Sequence, residues 1–312
     1  MTKHRDYAFW VKLATRASVT VALLLIAAKF VAWWYTDSTS MLASLTDSML
    51  DSVASLFTFF AVRYAVVPAD NEHRFGHGKA EYLAALVQSA LIIGSACLLI
   101  FHAATQWWHE NPVHVPIYGV YVSLFAIVLT LGLVTLQNLV VRKTGSKAIA
   151  ADSLHFTSDL LLNTAVILAL GLSAYGFIWA DSVFALIIAG YLAIGAARIG
   201  WDAFHHLLDH ELPPEERAQV IAVLDNTPGI RGYHHLRTRA AGPTRFVQAH
   251  IELDDHLTLL AAHDITDKAE KDIADLFPET DVILHMDPQS VVPDKADQAT
   301  PLGPDDETRP LP

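Results

Sequence analysis

A bundle of six membrane-spanning helices followed by a small soluble α+β domain is what this sequence predicts, on three observations. The 312-residue chain is 53% hydrophobic and only 17% charged, with a mean hydropathy of +0.33, a balance too apolar for a soluble protein of this size. Six apolar stretches, at roughly 13–35, 39–64, 82–108, 115–141, 148–174 and 178–203, each supply the ~20 residues a helix needs to cross the hydrocarbon core. Beyond Leu212-Pro213-Pro214 the hydropathy gives way to short amphipathic segments. The expected division is a six-helix transmembrane domain over 1–210, a soluble domain over 211–290, and an acidic tail over 291–312 that lacks periodicity and reads as disordered.

Composition also excludes several functions. The single cysteine, Cys97, lies in an apolar run, so there is no disulfide framework and no CxxC or zinc-finger pattern, and metal ligation falls to His, Asp and Glu. Sixteen histidines are available for it. A net charge of −12 argues against nucleic acid as a partner, since phosphates need a basic surface. The first apolar run is long and lacks a small-residue cleavage site, so no cleavable signal peptide is expected.

Lys3, Arg5, Lys12 and Arg16 lie before or at the start of the first span. Arg74 and Lys79 lie between spans two and three, and Arg142, Lys143 and Lys147 between four and five; the other loops have neither Lys nor Arg. The positive-inside rule then places both termini and these two loops in the cytoplasm. Lys29 interrupts the first span, but near its outer end, where the stem can snorkel to the interface. Trp33, Trp34, Trp107, Trp108 and Trp179 fall near the outer ends, as an aromatic belt would.

The second span carries Asp47 and Asp51, the fifth His155 and Asp159, each pair at i and i+4 on one helix face. An ionisable group near the bilayer centre costs about 2.5–3.5 kcal/mol, so three aspartates represent roughly 8–10 kcal/mol unless something compensates. At 1.5 Å per residue, Asp51 is roughly 20 Å from the outer end of its span and His155 roughly 10 Å from the inner end of its own, which sets them level. The same arithmetic aligns Asp47 with Asp159. Three oxygens and one imidazole nitrogen make a tetrahedral set suited to Zn²⁺ and acceptable to Fe²⁺ or Cd²⁺; the competing reading is interhelical hydrogen bonding alone. Asp152 is read as a carboxylate favoured by the helix N-terminus. Asn163 and Asp181 could line a pathway, though nothing in their spacing demands it.

Between spans two and three, Asp70, His73 and His77 recur at intervals of three and four. That spacing suits a small metal site, and equally a solvated polar loop. In the soluble domain the order is helix (214–225), strand (232–240), strand (244–254), helix (258–276) and strand (280–286), punctuated by Pro228-Gly229 and Gly242-Pro243. This αββαβ order predicts helices on one face of a sheet. His250 alternates with the apolar positions of its strand, and His285 shares a face with Asp287. Spacing alone leaves His234 and His263 open between ligand and surface residue.

The two intramembrane pairs, the loop His73-Arg74-Phe75-Gly76-His77-Gly78-Lys79-Ala80-Glu81 and the six-span layout together resemble the cation diffusion facilitator family, most nearly its bacterial YiiP-type zinc and iron exporters. The resemblance covers about residues 7–290. It implies a homodimeric, proton-coupled antiporter that exports divalent metal from the cytoplasm across the inner membrane by alternating access. Carried over by position, it implies a transport site at Asp47, Asp51, His155 and Asp159, and a loop site at Asp70, His73 and His77. It also implies a metallochaperone-like domain with a binuclear zinc site at His234, His250, His263 and His285 bridged by Asp287, and a dimer interlock between Lys79 and Asp209. His235 beside His234 departs from the pattern. Arg237 and Arg239 follow on the strand face of His235, which favours His234 as the ligand.

On this reading Zn²⁺ is transported and also held at the cytoplasmic sites, with Cd²⁺ or Fe²⁺ as alternative substrates. Metal and protons compete because ligands must be deprotonated to coordinate, and His155 and Asp51 are the expected proton carriers. Two other functions are weighed against transport: a membrane-bound metal sensor, and an intramembrane metallohydrolase. The second lacks an HExxH, a GxSxG or a catalytic glutamate beside the site.

Overall fold

The computed structural model describes residues 2–37, 39–108, 117–173, 175, 177, 180–277 and 279–292. The chain forms two compact units, one over Arg5–Leu207 and one that begins at Leu208. The first contains α1 (Thr2–Thr36), α2 (Thr39–Ala65), α3 (Lys79–Trp108), α4 (Ile117–Thr144), α5 (Lys147–Ser173) and α6 (Ala180–Leu207). No proline interrupts them, so each ladder of backbone hydrogen bonds runs its full length.

Among the described residues, α1 to α4 and α6 each contain a stretch long and apolar enough to cross a membrane. The first half of α5 carries Asp152, His155 and Asp159. Leu98, Phe101 and Val128 stand exposed, as side chains turned to lipid do. Inside, Tyr7, Val11, Val62, Val140 and Ile149 form a cluster that joins α1, α2, α4 and α5 at the end where α1 begins. Small residues let the helices approach closely. A Cβ on Gly200 of α6 would lie 3.1 Å from Ser89 Cβ of α3, and one on Gly195 would lie 3.1 Å from the Leu154 side chain of α5. At the same end the buried Glu81 of α3 accepts from the Tyr7 hydroxyl and, at 2.9 Å, from the Lys147 amide. The Lys143 ammonium sits 3.7 Å from the centre of the Trp10 ring.

The second unit runs α7 (Pro214–Asn226), β1 (Gly232–Ala241), β2 (Thr244–Leu253), α8 (Leu259–Ala274) and β3 (Glu279–Pro288), the αββαβ order read from sequence. Pro214 occupies the first helical position, where its missing N–H costs nothing, and Thr258 caps α8 by accepting from the Ala261 amide. The sheet order is β1-β2-β3, antiparallel between β1 and β2 and parallel between β2 and β3. Val220 and Leu224, Ala269 and Ile273, and the strand residues Leu236, Val247, Ala249, Ile251, Leu253 and Leu284 form one core, so both helices cover the same face of the sheet.

At Gly229 φ is +102°, and an added Cβ would lie 2.6 Å from Ile265 Cδ1. Gly229→Ala is expected to destabilise this unit by about 1–3 kcal/mol, seen as a lower midpoint when its unfolding is followed in the full-length protein by hydrogen exchange of the β2 amides. Residues 293–312, where the acidic tail was expected, lie outside the described residues.

Candidate metal centre

Among the described residues three groups of His and Asp place their ligand atoms within 4.8 Å of one another: Asp51, His155 and Asp159; Asp70, His73 and His77; and His234, His250 and Asp287. The first lies between α2 and α5. Asp51 Oδ1 is 3.4 Å from His155 Nε2. That nitrogen is buried and has no hydrogen-bond partner, a state native proteins rarely leave unexplained. A cation between two carboxylates and this nitrogen satisfies all three, so the donor set fits a divalent transition metal. Asp47, one helical turn before Asp51, is exposed on α2 and is not part of the group; the structure gathers three of the four expected ligands.

Three neighbours differ from expectation. The Lys29 side chain does not run to the interface: its ammonium donates to Ser48 Oγ at 2.6 Å and to the Ser44 carbonyl at 3.2 Å. A polar partner on α2 lies nearer than the end of the span and holds it inside. Asp152 is not a helix-end carboxylate. It is fully buried in α5 and accepts from Ser18 Oγ (2.6 Å, α1), Gln137 Nε2 (2.8 Å, α4) and Ser55 Oγ (3.4 Å, α2), so it links the four helices around the site. Asn163 donates back to the Asp159 carbonyl at 2.7 Å on its own helix, rather than lining a path. The side chains of Asp181, Trp107 and Trp108, and the whole of Trp179, lie outside the described residues.

The loop group is shaped by Gly76, whose φ of +79° lets the chain turn back so that His73 and His77 face one carboxylate. Their rings are 4.5 Å apart, and Asp70 lies 3.4 Å from each. His77 is buried, and its Nδ1 is 3.2 Å from the Val67 carbonyl. With Nδ1 donating there, Nε2 is left as the ligand atom toward Asp70. The His73 amide, at 2.7 Å, holds the Asp70 carboxyl below its ordinary range, assisted by the Glu72 amide at 2.9 Å. The Asp70 carboxylate is thus ionised well below neutral pH.

In the second unit the register sets His234 and His285 directly opposite His250, so three imidazoles form a row across three strands. Asp287 collects them: its oxygens lie 2.8 Å from His250 Nδ1, 3.3 Å from His234 Nε2 and 3.3 Å from His285 Nε2. His263 is exposed on α8 and not part of the group. Strict alternation would turn His234 to the side of the buried Leu236. An irregularity between His234 and Arg237, with His235 at φ 51°, reverses it. His235 consequently does not share a simple face with Arg237 and Arg239. Its ring stands 5.1 Å from His234 and 5.5 Å from His250. Partial burial first, then His234 and His250, push its imidazole below the ordinary histidine value. Glu252, which sequence reasoning passed over, lies 3.3 Å from His234 Nδ1; its alternation with His250 on β2 was the available signal.

Lys79 donates to the Leu207 carbonyl at 3.3 Å, and Asp209 accepts from Arg239 at 3.3 Å.

Fold and site together define a multi-pass membrane protein with metal-ligand groups between its helices, in one loop and on the sheet of a small α+β unit. Residues 15–208 match the cation efflux transmembrane domain, and residues 212–289 match the cytoplasmic domain of cation efflux proteins. The chain is 51% identical over 293 residues to the cation-efflux pump FieF of Shewanella oneidensis, covering 94% of this chain and 99% of that one. It is 49% identical over 290 residues to the protein of the same name from Klebsiella pneumoniae, covering 93% and 97%. A solved structure, the metal-bound C-terminal domain of the CzcD transporter from Thermotoga maritima, is 28% identical and covers 25% of this chain and 93% of its own, with a TM-score of 0.24. The chain belongs to the cation diffusion facilitator family of cation-efflux transporters and is not an enzyme.

Proposed function

We propose that the protein is a proton-coupled antiporter that exports Zn²⁺, with Cd²⁺ and Fe²⁺ as alternative substrates, through the group at Asp51, His155 and Asp159, with Asp47 joining it. The observation that carries this reading is the buried, unpartnered Nε2 of His155 facing two carboxylates between α2 and α5. His155 and Asp51 give up protons when the ion is taken up and regain them when it leaves, since ligands coordinate only when deprotonated. Alternating access exposes the group to one side at a time.

The arginines and lysines near the start of α1, the loop after α2 and the loop after α4 favour an inner-membrane protein with both termini in the cytoplasm. The groups at Asp70, His73 and His77, and at His234, His250, His285 and Asp287, would hold Zn²⁺ in structural or regulatory roles, with His263 as a further ligand. The match to the cytoplasmic domain of cation efflux proteins favours a homodimer, with Lys79 and Asp209 as its proposed interlock.

The test is zinc uptake into proteoliposomes with the cytoplasmic side facing outward and an acidic lumen. Uptake that follows the imposed gradient, with matching proton release, supports antiport. Vesicles that take up no metal at any gradient would overturn it in favour of a sensor.

A further inference from the structure

Lys29 is a cation held beside a cation site. It lies seven residues before the end of α1, roughly 10 Å along the helix axis, and its stem is long enough to approach the interface. Instead its ammonium binds Ser48 Oγ and the Ser44 carbonyl. These two residues flank Asp47 on α2, and Ser48 is buried. The charged groups on which the ammonium acts are Asp159, Asp51 and Asp47. No sequence motif marks this residue, and nothing about holding α1 to α2 requires a full charge, since a hydroxyl or amide can make the same hydrogen bond.

We infer that Lys29 is a specificity-determining residue of the intramembrane site: a tethered counter-ion that offsets one of its three carboxylates, so that a divalent ion leaves the assembly electrically neutral. The inference rests on the transport-site reading above. The three carboxylates carry three negative charges; the ammonium offsets one and a divalent ion the other two. Neutrality matters here because an uncompensated charge is costly at this depth. The tethered charge also repels the ion, so it limits how tightly the metal is held. An exporter needs that limit, because an ion bound too tightly does not leave.

The test uses Lys29→Gln, which keeps a hydrogen bond to Ser48 and removes the charge, with Lys29→Met as a second neutral variant and Lys29→Arg as the charge-retaining control. Zinc binding to the full-length protein in detergent is measured by calorimetry at pH 8, and the intramembrane component is identified as the one lost in Asp51→Ala. Removing a like charge from beside a divalent ion is expected to tighten that component about tenfold or more and to slow zinc turnover in proteoliposomes, while Lys29→Arg stays near native in both. A merely structural lysine would loosen binding when replaced, and Lys29→Arg would not separate from the neutral variants by charge. Unchanged or weaker binding in both neutral variants, with the Asp51-dependent component still present in the native protein, overturns the inference and leaves the transport site standing. If Asp51→Ala removes no component, the site reading itself fails and the inference with it.

Discussion

Replacing Asp51 by alanine is expected to lower gradient-driven zinc flux by at least about a hundredfold, more than the 10- to 100-fold typical when only a supporting residue of a metal site is lost. Asp51 is the α2 residue gathered with His155 and Asp159, which both stand on α5. Without it the ion keeps His155 and Asp159 on α5 and only the more distant Asp47 on α2, so its arrival is poorly coupled to a movement of α2 against α5. The His155 nitrogen also loses the carboxylate that stands 3.4 Å away. Stopped-flow measurement with a zinc-sensitive dye trapped in the vesicles reads the effect directly. The variant should remain folded, since among the described residues Asp51 makes no hydrogen bond to the rest of the bundle that would be left broken. Flux within a few-fold of native would exclude this group as the conduction path.

The second large effect falls on Asp152. Its carboxylate is the shared acceptor for Ser18, Gln137 and Ser55 on three other helices, and truncation to alanine removes that acceptor, leaving Gln137 Nε2 on Ser18 Oγ and Ser18 Oγ on the Ala14 carbonyl. The two short hydrogen bonds to the carboxylate are worth about 1.5–3 kcal/mol each, so Asp152→Ala is expected to destabilise the bundle by about 3–5 kcal/mol. Thermal unfolding of the detergent-solubilised protein, followed by tryptophan fluorescence, should show a clear drop in midpoint. Asp152→Asn, which retains a carbonyl acceptor, should recover part of it. A midpoint within a degree of native for the alanine variant would mean that water replaces the carboxylate and that the four helices are held by apolar packing alone.

Much of the arrangement was legible in the sequence, because its governing forces are periodic. Apolar runs of spanning length mark the helices, and the i, i+4 pairs Asp47–Asp51 and His155–Asp159 stand out because bilayers exclude such residues. The αββαβ order followed from alternation and from Pro228-Gly229 and Gly242-Pro243. What escaped were contacts that depend on how helices rotate against one another. Lys29 on α1 finds Ser48 on α2, and Asp152 finds Ser18, Gln137 and Ser55, through tertiary packing that no spacing encodes. The outward turn of His234 was likewise hidden, since it depends on a single irregular residue in β1. Asp47 has the right spacing and stands apart from the gathered ligands, a reminder that sharing a helix face does not fix which side chains converge.

The polar first half of α5 has a consequence for how the protein is made. With Asp152, His155 and Asp159 in one stretch, this segment pays the insertion penalty of two buried carboxylates and an imidazole, and alone it partitions poorly from water into lipid. Only Gly145 and Ser146 separate it from the strongly apolar α4, against which it packs. During synthesis α5 follows α4 as the trailing arm of a helical hairpin, and its Asp152 finds Gln137 across that hairpin and Ser18 and Ser55 on α1 and α2, which emerge earlier. The residues that give the site its chemistry are thus also those that make biogenesis depend on the order in which the helices emerge.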